Sequence, residues 1–205
     1  MSFSGLAVIR TTHLLYLHGF RSSPQSIKAR KMAAIVQNQH PDVTWWCPQL
    51  PASPRQAMAA LRSGVSAWPR QQMAIMGSSL GGFYAAVLAR ELGCRVVLLN
   101  PAVYPARDLA RHIGEHPAWH DPSQKIFFEA THIQELADLE ALAPIDSSQS
   151  PSSLAVIAKG DEVLDWREMQ ARHASGQVRL LEGSDHALSD FDAVLPEILE
   201  FLHLA

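Results

Sequence analysis

The sequence predicts an α/β protein, a mostly parallel sheet of about six strands with helices on both faces, in a single domain over residues 1–205. Three observations lead there. Short apolar runs recur without the strict alternation of a half-solvated sheet, and stretches with apolar residues at helical spacing separate them. A chain of 205 residues with 47% hydrophobic content can also bury one sizeable core.

Leu14 to Leu17 is the first apolar run and ends at His18-Gly19-Phe20; Ser26 to Gln39 then sets Ile27, Met32, Ile35 and Val36 at helical spacing. Val43 to Cys47 is rich in β-formers and stops at Pro48, and Pro54 to Trp68 returns to helical spacing through Ala57, Met58, Leu61 and Val65. Gln72 to Met76 is the third strand, followed by a glycine-rich turn and a helix to about Leu92, where Gly93 suits a helix C-terminus. Arg95 to Leu99 is the fourth strand, stopped by Asn100-Pro101. Leu154 to Ala158 and Val178 to Leu181 are the fifth and sixth, and the final helix runs from about Ser189 to Leu202.

Residues 103–153 exceed what a simple crossover needs and carry Pro105, Pro117, Pro122 and Pro144. They are expected to form a short helical, lid-like insert: a helix near Ala106 to Glu115, an irregular piece through His120 to Ser123, and a helix near His132 to Leu142. Ser147 to Ser153 is a polar stretch expected as a flexible surface loop.

Charge and cysteine usage narrow the partners. A net charge of −3 with scattered Lys and Arg offers no general attraction for nucleic acid or anionic lipid. No apolar run approaches the roughly 20 residues that span a bilayer, and the start lacks a signal-peptide pattern, so a cytoplasmic protein is expected. Cys47 and Cys94 match no metal or disulfide pattern and read as buried thiols. Oligomeric state is not legible.

The stretch Met76-Gly77-Ser78-Ser79-Leu80-Gly81-Gly82 holds a G-x-S-x-G frame with a strand before it and a helix after it. A serine on such a turn stands above the carboxyl edge of the sheet, and Gly77 and Gly81 remove side chains that would collide across the bend. The frame selects Ser79 over Ser78. A serine nucleophile needs a histidine base and an orienting carboxylate. Lys159-Gly160-Asp161 follows the fifth strand and Ser184-Asp185-His186 follows the sixth, which makes Asp161 and His186 the candidates, with Asp165 the alternative acid and Asp185 bonding local backbone. The backbone N–H groups of Leu80 and Phe20 are the candidate oxyanion donors, and His18 shapes the Phe20 loop.

Taken together, LYLHGF at 15–20, SSP at 22–24, GSSLGG at 77–82, LNPAV at 99–103, GDEVLD at 160–165 and Asp185-His186 resemble the YqiA-like esterases of the α/β-hydrolase superfamily, over nearly the whole chain. The resemblance implies a compact α/β-hydrolase fold and a serine triad of Ser79, Asp161 and His186 acting on carboxylic ester or thioester bonds. The expected partner is a small acyl substrate, and the chemistry requires no metal or organic cofactor. Tyr104, Trp119, Phe127, Phe128 and Trp166 are candidates for the acyl pocket, where the chain diverges from the family pattern through Pro117 to Glu129.

Three other readings compete. His112-Ile113-Gly114-Glu115-His116 spells H-x-x-E-H, which on a helix presents two imidazoles to zinc, with His120 and Asp121 nearby. The scaffold could also serve binding without catalysis. Finally, GSSLGG could cradle a phosphate at a helix start, although the P-loop lysine is missing.

Overall fold

A computed structural model describes residues 9–119, 121–142 and 152–204. Along the chain run β1 (His13–Leu17), α1 (Ile27–Gln39), β2 (Thr44–Trp46), α2 (Pro54–Gly64), β3 (Met73–Ser78), α3 (Leu80–Leu92) and β4 (Arg95–Leu99). They are followed by α4 (Pro105–Leu109), β5 (Gly114–Pro117), β6 (Lys125–Phe128), α5 (Ala130–Ala141), β7 (Ser153–Ala158), α6 (Trp166–Arg172), β8 (Gln177–Leu181) and α7 (Phe191–Phe201).

Six strands form a parallel sheet in the order β2-β1-β3-β4-β7-β8. Alternate residues face opposite layers. Leu15, Leu17, Ile75 and Leu98 pack under α2, α3, α5 and α6, while Leu14, Tyr16, Met76 and Leu99 pack under α1 and α7. Because both faces are covered, both sets of alternate residues are apolar, and the strands read as continuous hydrophobic runs.

The register brings the strand ends together. Leu17 pairs with Gly77, Ser78 with Leu99, Leu99 with Val156, and Ala158 with Leu181. Loops after β1, β3, β4, β7 and β8 therefore emerge at one carboxyl edge, the place where open parallel sheets bind ligands.

Two elements differ from expectation. α2 ends at Gly64 rather than Trp68, and Trp46 packs so closely there that a Cβ at Gly64 would lie 2.1 Å from its ring. Trp68 instead turns back to pack on His13 and Trp46, with ring centroids 5.0 and 6.1 Å away.

The insert is only partly helical. Its first helix stops at Leu109, a 3-10 turn covers Ala110–His112, and β5 and β6 form an antiparallel hairpin. Gly114, at φ 129°, breaks helical geometry, and Ile126-Phe127-Phe128 supplies β-forming side chains. α5 anchors the insert to the main layer: Glu135 Oε2 accepts hydrogen bonds from Ser53 Oγ (2.7 Å) and Arg55 N (3.1 Å) at the start of α2.

His120, Pro144 and most of the Ser147 to Ser153 stretch lie outside the described residues. Cys94 is buried, but Cys47, just past the short edge strand β2, is only half-buried. Burial pushes both thiols up to about 12, so neither is a thiolate at neutral pH. Among the described residues no helix is long and apolar enough to cross a membrane.

Candidate active site

Ser79 lies between β3 and α3 at φ 55°, ψ −123°, a backbone conformation costly for any residue with a side chain. Hydrogen bonds hold it there from both sides. Its N–H donates to Leu99 O (3.0 Å), and its carbonyl accepts from Gly82 N (2.9 Å), Phe83 N (3.2 Å) and Ala102 N (3.1 Å). The turn closes only around glycine: a Cβ at Gly77 would sit 2.2 Å from Gly81 O, and one at Gly81 would sit 2.2 Å from Leu17 O.

The loops after β7 and β8 complete a hydroxyl–imidazole–carboxylate chain. Ser79 Oγ lies 3.0 Å from His186 Nε2, and His186 Nδ1 lies 2.8 Å from Asp161 Oδ2. The Asp161 carboxylate is fully buried, and its Oδ1 accepts from the backbone N–H groups of Val163 and Leu164, both at 2.8 Å. Those bonds leave Oδ2 to face the ring. Asp165 is engaged elsewhere, capping α6 through Arg167 N at 2.9 Å. Asp185 turns to Ser189, accepting from its N–H (2.9 Å) and Oγ (2.6 Å), and these bonds hold its carboxyl below the usual range.

Two residues that steady this loop escaped sequence reasoning. Asn100 is fully buried at φ 41°; its Oδ1 accepts from Ala158 N (2.8 Å), and its Nδ2 donates to Asp185 O (2.9 Å) and His186 O (3.2 Å). Glu162 Oε2 accepts from His186 N at 3.0 Å. The signal for Asn100 was an amide residue, tolerant of positive φ, at the end of a buried strand.

The loop after β1 passes directly over the serine, since a Cβ at Gly19 would lie 3.2 Å from Ser79 Cβ. His18 sets its shape. Its Nε2 accepts from Leu50 N and its Nδ1 donates to Gly19 O, both at 3.0 Å, which requires a neutral ring protonated on Nδ1. Among the described residues neither Phe20 N–H nor Leu80 N–H has a hydrogen-bond partner.

The hairpin clamps this loop from outside. Arg21 O accepts from Trp119 N (2.9 Å), Arg21 Nε donates to Pro117 O (2.9 Å), and its guanidinium lies 4.3 Å from the Trp119 ring centroid. The Phe20 ring packs on Phe128 and on the imidazoles of His112 and His116.

A family model described as an uncharacterised protein family, UPF0227, matches residues 13–203. The chain belongs to the UPF0227 family. This family is YqiA-like, and its fold is that of the α/β-hydrolase superfamily. Three solved structures are similar to the UPF0227 chain. A protein from Agrobacterium vitis S4 assigned to the hydrolases is 15% identical, with a TM-score of 0.76 over 94% of this chain and 90% of that one. A structure from work on the metagenome-derived lipolytic enzymes LipS and LipT is 18% identical, with a TM-score of 0.69 over 96% of each chain. Est1E from Butyrivibrio proteoclasticus with bound ferulic acid is 14% identical, with a TM-score of 0.69 over 96% of this chain and 91% of that one.

In the UPF0227 chain two clefts flank the His18–Phe20 loop. One, of about 370 Å³, is lined by Ser79, His186, Trp119 and the start of α1. The other, of about 300 Å³, is lined by Leu80, Leu50, Pro51, Ile126 and Phe127. Of the aromatic residues expected at an acyl pocket, Trp119 and Phe127 therefore reach these clefts. Phe128 is fully buried beneath Phe20, and neither Tyr104 nor Trp166 lines either cleft. Tyr104 lies under Arg107, and Trp166 is flanked by Lys159 and Arg167.

The zinc reading of H-x-x-E-H loses its premise, because the segment is a 3-10 end running into a strand rather than a helix. His116 Nε2 bonds to His112 O at 2.7 Å, which commits that nitrogen to the backbone. Among the described residues no group of three or more His, Cys, Asp or Glu side chains is placed to hold a metal.

Proposed function

We propose that this protein is a serine hydrolase that cleaves carboxylic ester or thioester bonds of small acyl substrates. The observation that carries the reading is the continuous chain from Ser79 Oγ through His186 to the buried Asp161, beside two backbone N–H groups without a partner among the described residues. The lipolytic and ferulate-binding relatives agree with it in fold.

In this mechanism Ser79 Oγ attacks the acyl carbonyl while its proton passes to His186 Nε2, and Asp161 stabilises the imidazolium. The carbonyl oxygen becomes an oxyanion facing the N–H groups of Phe20 and Leu80. Collapse breaks the bond to the alcohol or thiol, which leaves with the proton from His186. Water then attacks the acyl-serine, giving a proton to the same nitrogen, and the acid departs as Oγ recovers its hydrogen. The apolar cleft at Leu50, Pro51 and Phe127 suits a short acyl chain.

Intact mass after brief exposure to a fluorophosphonate tests the nucleophile, with Ser79→Ala and heat-unfolded protein as controls. A single phosphonyl adduct confined to folded wild type is expected. A folded wild type without an adduct would instead favour a binding role for this scaffold.

A further inference from the structure

We infer that the cleft beside Ser79 selects substrates carrying an anionic group, a carboxylate or phosphate, seated where α1 begins. The inference deepens the hydrolase reading and rests on it for the position of the scissile bond.

The start of α1 forms one wall of that cleft through Ser26, Ile27, Lys28 and Lys31. Its positive end is uncompensated: Ser26 makes no side-chain cap, and the first turn of this 13-residue helix holds no acid. An independent observation comes from the cleft floor. Tyr16 is fully buried and lines the same cleft, yet neither its hydroxyl nor the neighbouring Ser26 Oγ has a hydrogen-bond partner among the described residues. Burial keeps the phenol protonated, so it remains a donor.

Two ammonium groups complete the site. Lys28 Nζ bonds to Ala187 O, next to the catalytic imidazole; burial pushes it down to about 8, which leaves it largely charged at neutral pH. Lys31 bonds to both oxygens of Asp192, a carboxylate 71% exposed. Asp185, the other acid nearby, partly offsets the Lys28 charge, but both of its carboxylate oxygens are hydrogen-bonded to Ser189. Hydroxyl donors, a helix start and two cations at one end of a largely apolar cleft match an anion, and because Ser79 and His186 line the same cleft that anion can belong to the molecule being cleaved.

The test compares kcat/KM for neutral and anionic esters of similar size. p-Nitrophenyl hemisuccinate against p-nitrophenyl pentanoate places the charge on the acyl side. 3-Butyryloxy-4-nitrobenzoate against o-nitrophenyl butyrate places it on the leaving side. In one arm the anionic ester should be preferred about tenfold, and Lys28→Gln or Tyr16→Phe should remove most of that ratio. Asp192→Asn, which frees Lys31, should raise it, and added salt should lower it. Ratios near one in both arms, or ratios that Lys28→Gln does not change, overturn the inference. Inorganic phosphate supplies a readout independent of turnover: it should raise the melting temperature of wild type more than that of Lys28→Gln, and equal shifts would also overturn it. If no ester is cleaved, the hydrolase reading fails, and the phosphate shift still decides the anion site.

Discussion

Asn100 Nδ2 donates to the His186 carbonyl at 3.2 Å and to the adjacent Asp185 carbonyl at 2.9 Å, so a side chain at the end of β4 holds the loop that carries the imidazole. Its Oδ1 meanwhile accepts from Ala158 N at the end of β7. Asn100→Asp keeps the acceptor but turns a carboxylate toward two carbonyls. A loss of about 2–3 kcal/mol in stability is expected, because buried partners are left unpaired. kcat should fall by more than about tenfold with KM little changed, since the imidazole loses its aim rather than the cleft its shape. Steady-state kinetics and urea unfolding on the same variant check both parts.

The two acids of the loop after β7 have separable roles. Asp161 is buried against His186, whereas Asp165 caps α6 and is half-exposed. On the proposed mechanism Asp161→Asn should cut kcat by about 10⁴-fold, as loss of the orienting carboxylate does in serine triads. Asp165→Ala should leave kcat within about twofold and cost about 1 kcal/mol through the lost cap. The reverse pattern would make Asp165 the orienting acid.

Much of this arrangement was legible in the sequence, for identifiable reasons. Buried parallel strands and amphipathic helices leave strong periodic signals, and a bend that excludes side chains leaves Gly77 and Gly81 around Ser79. The β5–β6 hairpin was hidden because its strands are short and Gly114 interrupts a helix-like pattern. Asn100 and Glu162 were hidden because they act on backbone groups far away in the chain, a relation without spacing. Tyr104 and Trp166 were misdirected by aromatic character alone, which cannot tell a cleft wall from a surface ring stacked on arginine.

Glycines at the serine turn and in the histidine loop should respond differently to alanine. At Gly81 the added Cβ meets backbone, Leu17 O at 2.2 Å and His18 O at 2.5 Å, so β1 and α3 must separate. About 3 kcal/mol or more should be lost, with the fluorophosphonate reactivity of Ser79. At Gly183 an added Cβ meets nothing within 4 Å. Gly183→Ala should change stability by no more than about 0.5 kcal/mol, either way. Chemical denaturation of the two variants beside wild type decides this.

His173, at the C-terminal end of α6, gives acid sensitivity remote from the serine. Burial, aided by the Arg172 charge, pushes its imidazole from 6.5 down to about 4. The folded protein therefore resists a proton that the unfolded chain accepts. Above pH 6.5 the ring is neutral in both states and costs nothing; between about 6.5 and 4 unfolding takes up a proton and stability falls as pH falls; below about 4 the loss is complete. The full effect is about 3 kcal/mol. His173→Gln removes the titrating group, so the drop in unfolding free energy from pH 7 to pH 4 should be smaller than in wild type by about that amount. Equal drops in the two proteins would mean that water reaches the His173 ring in the folded state and that acid sensitivity originates elsewhere.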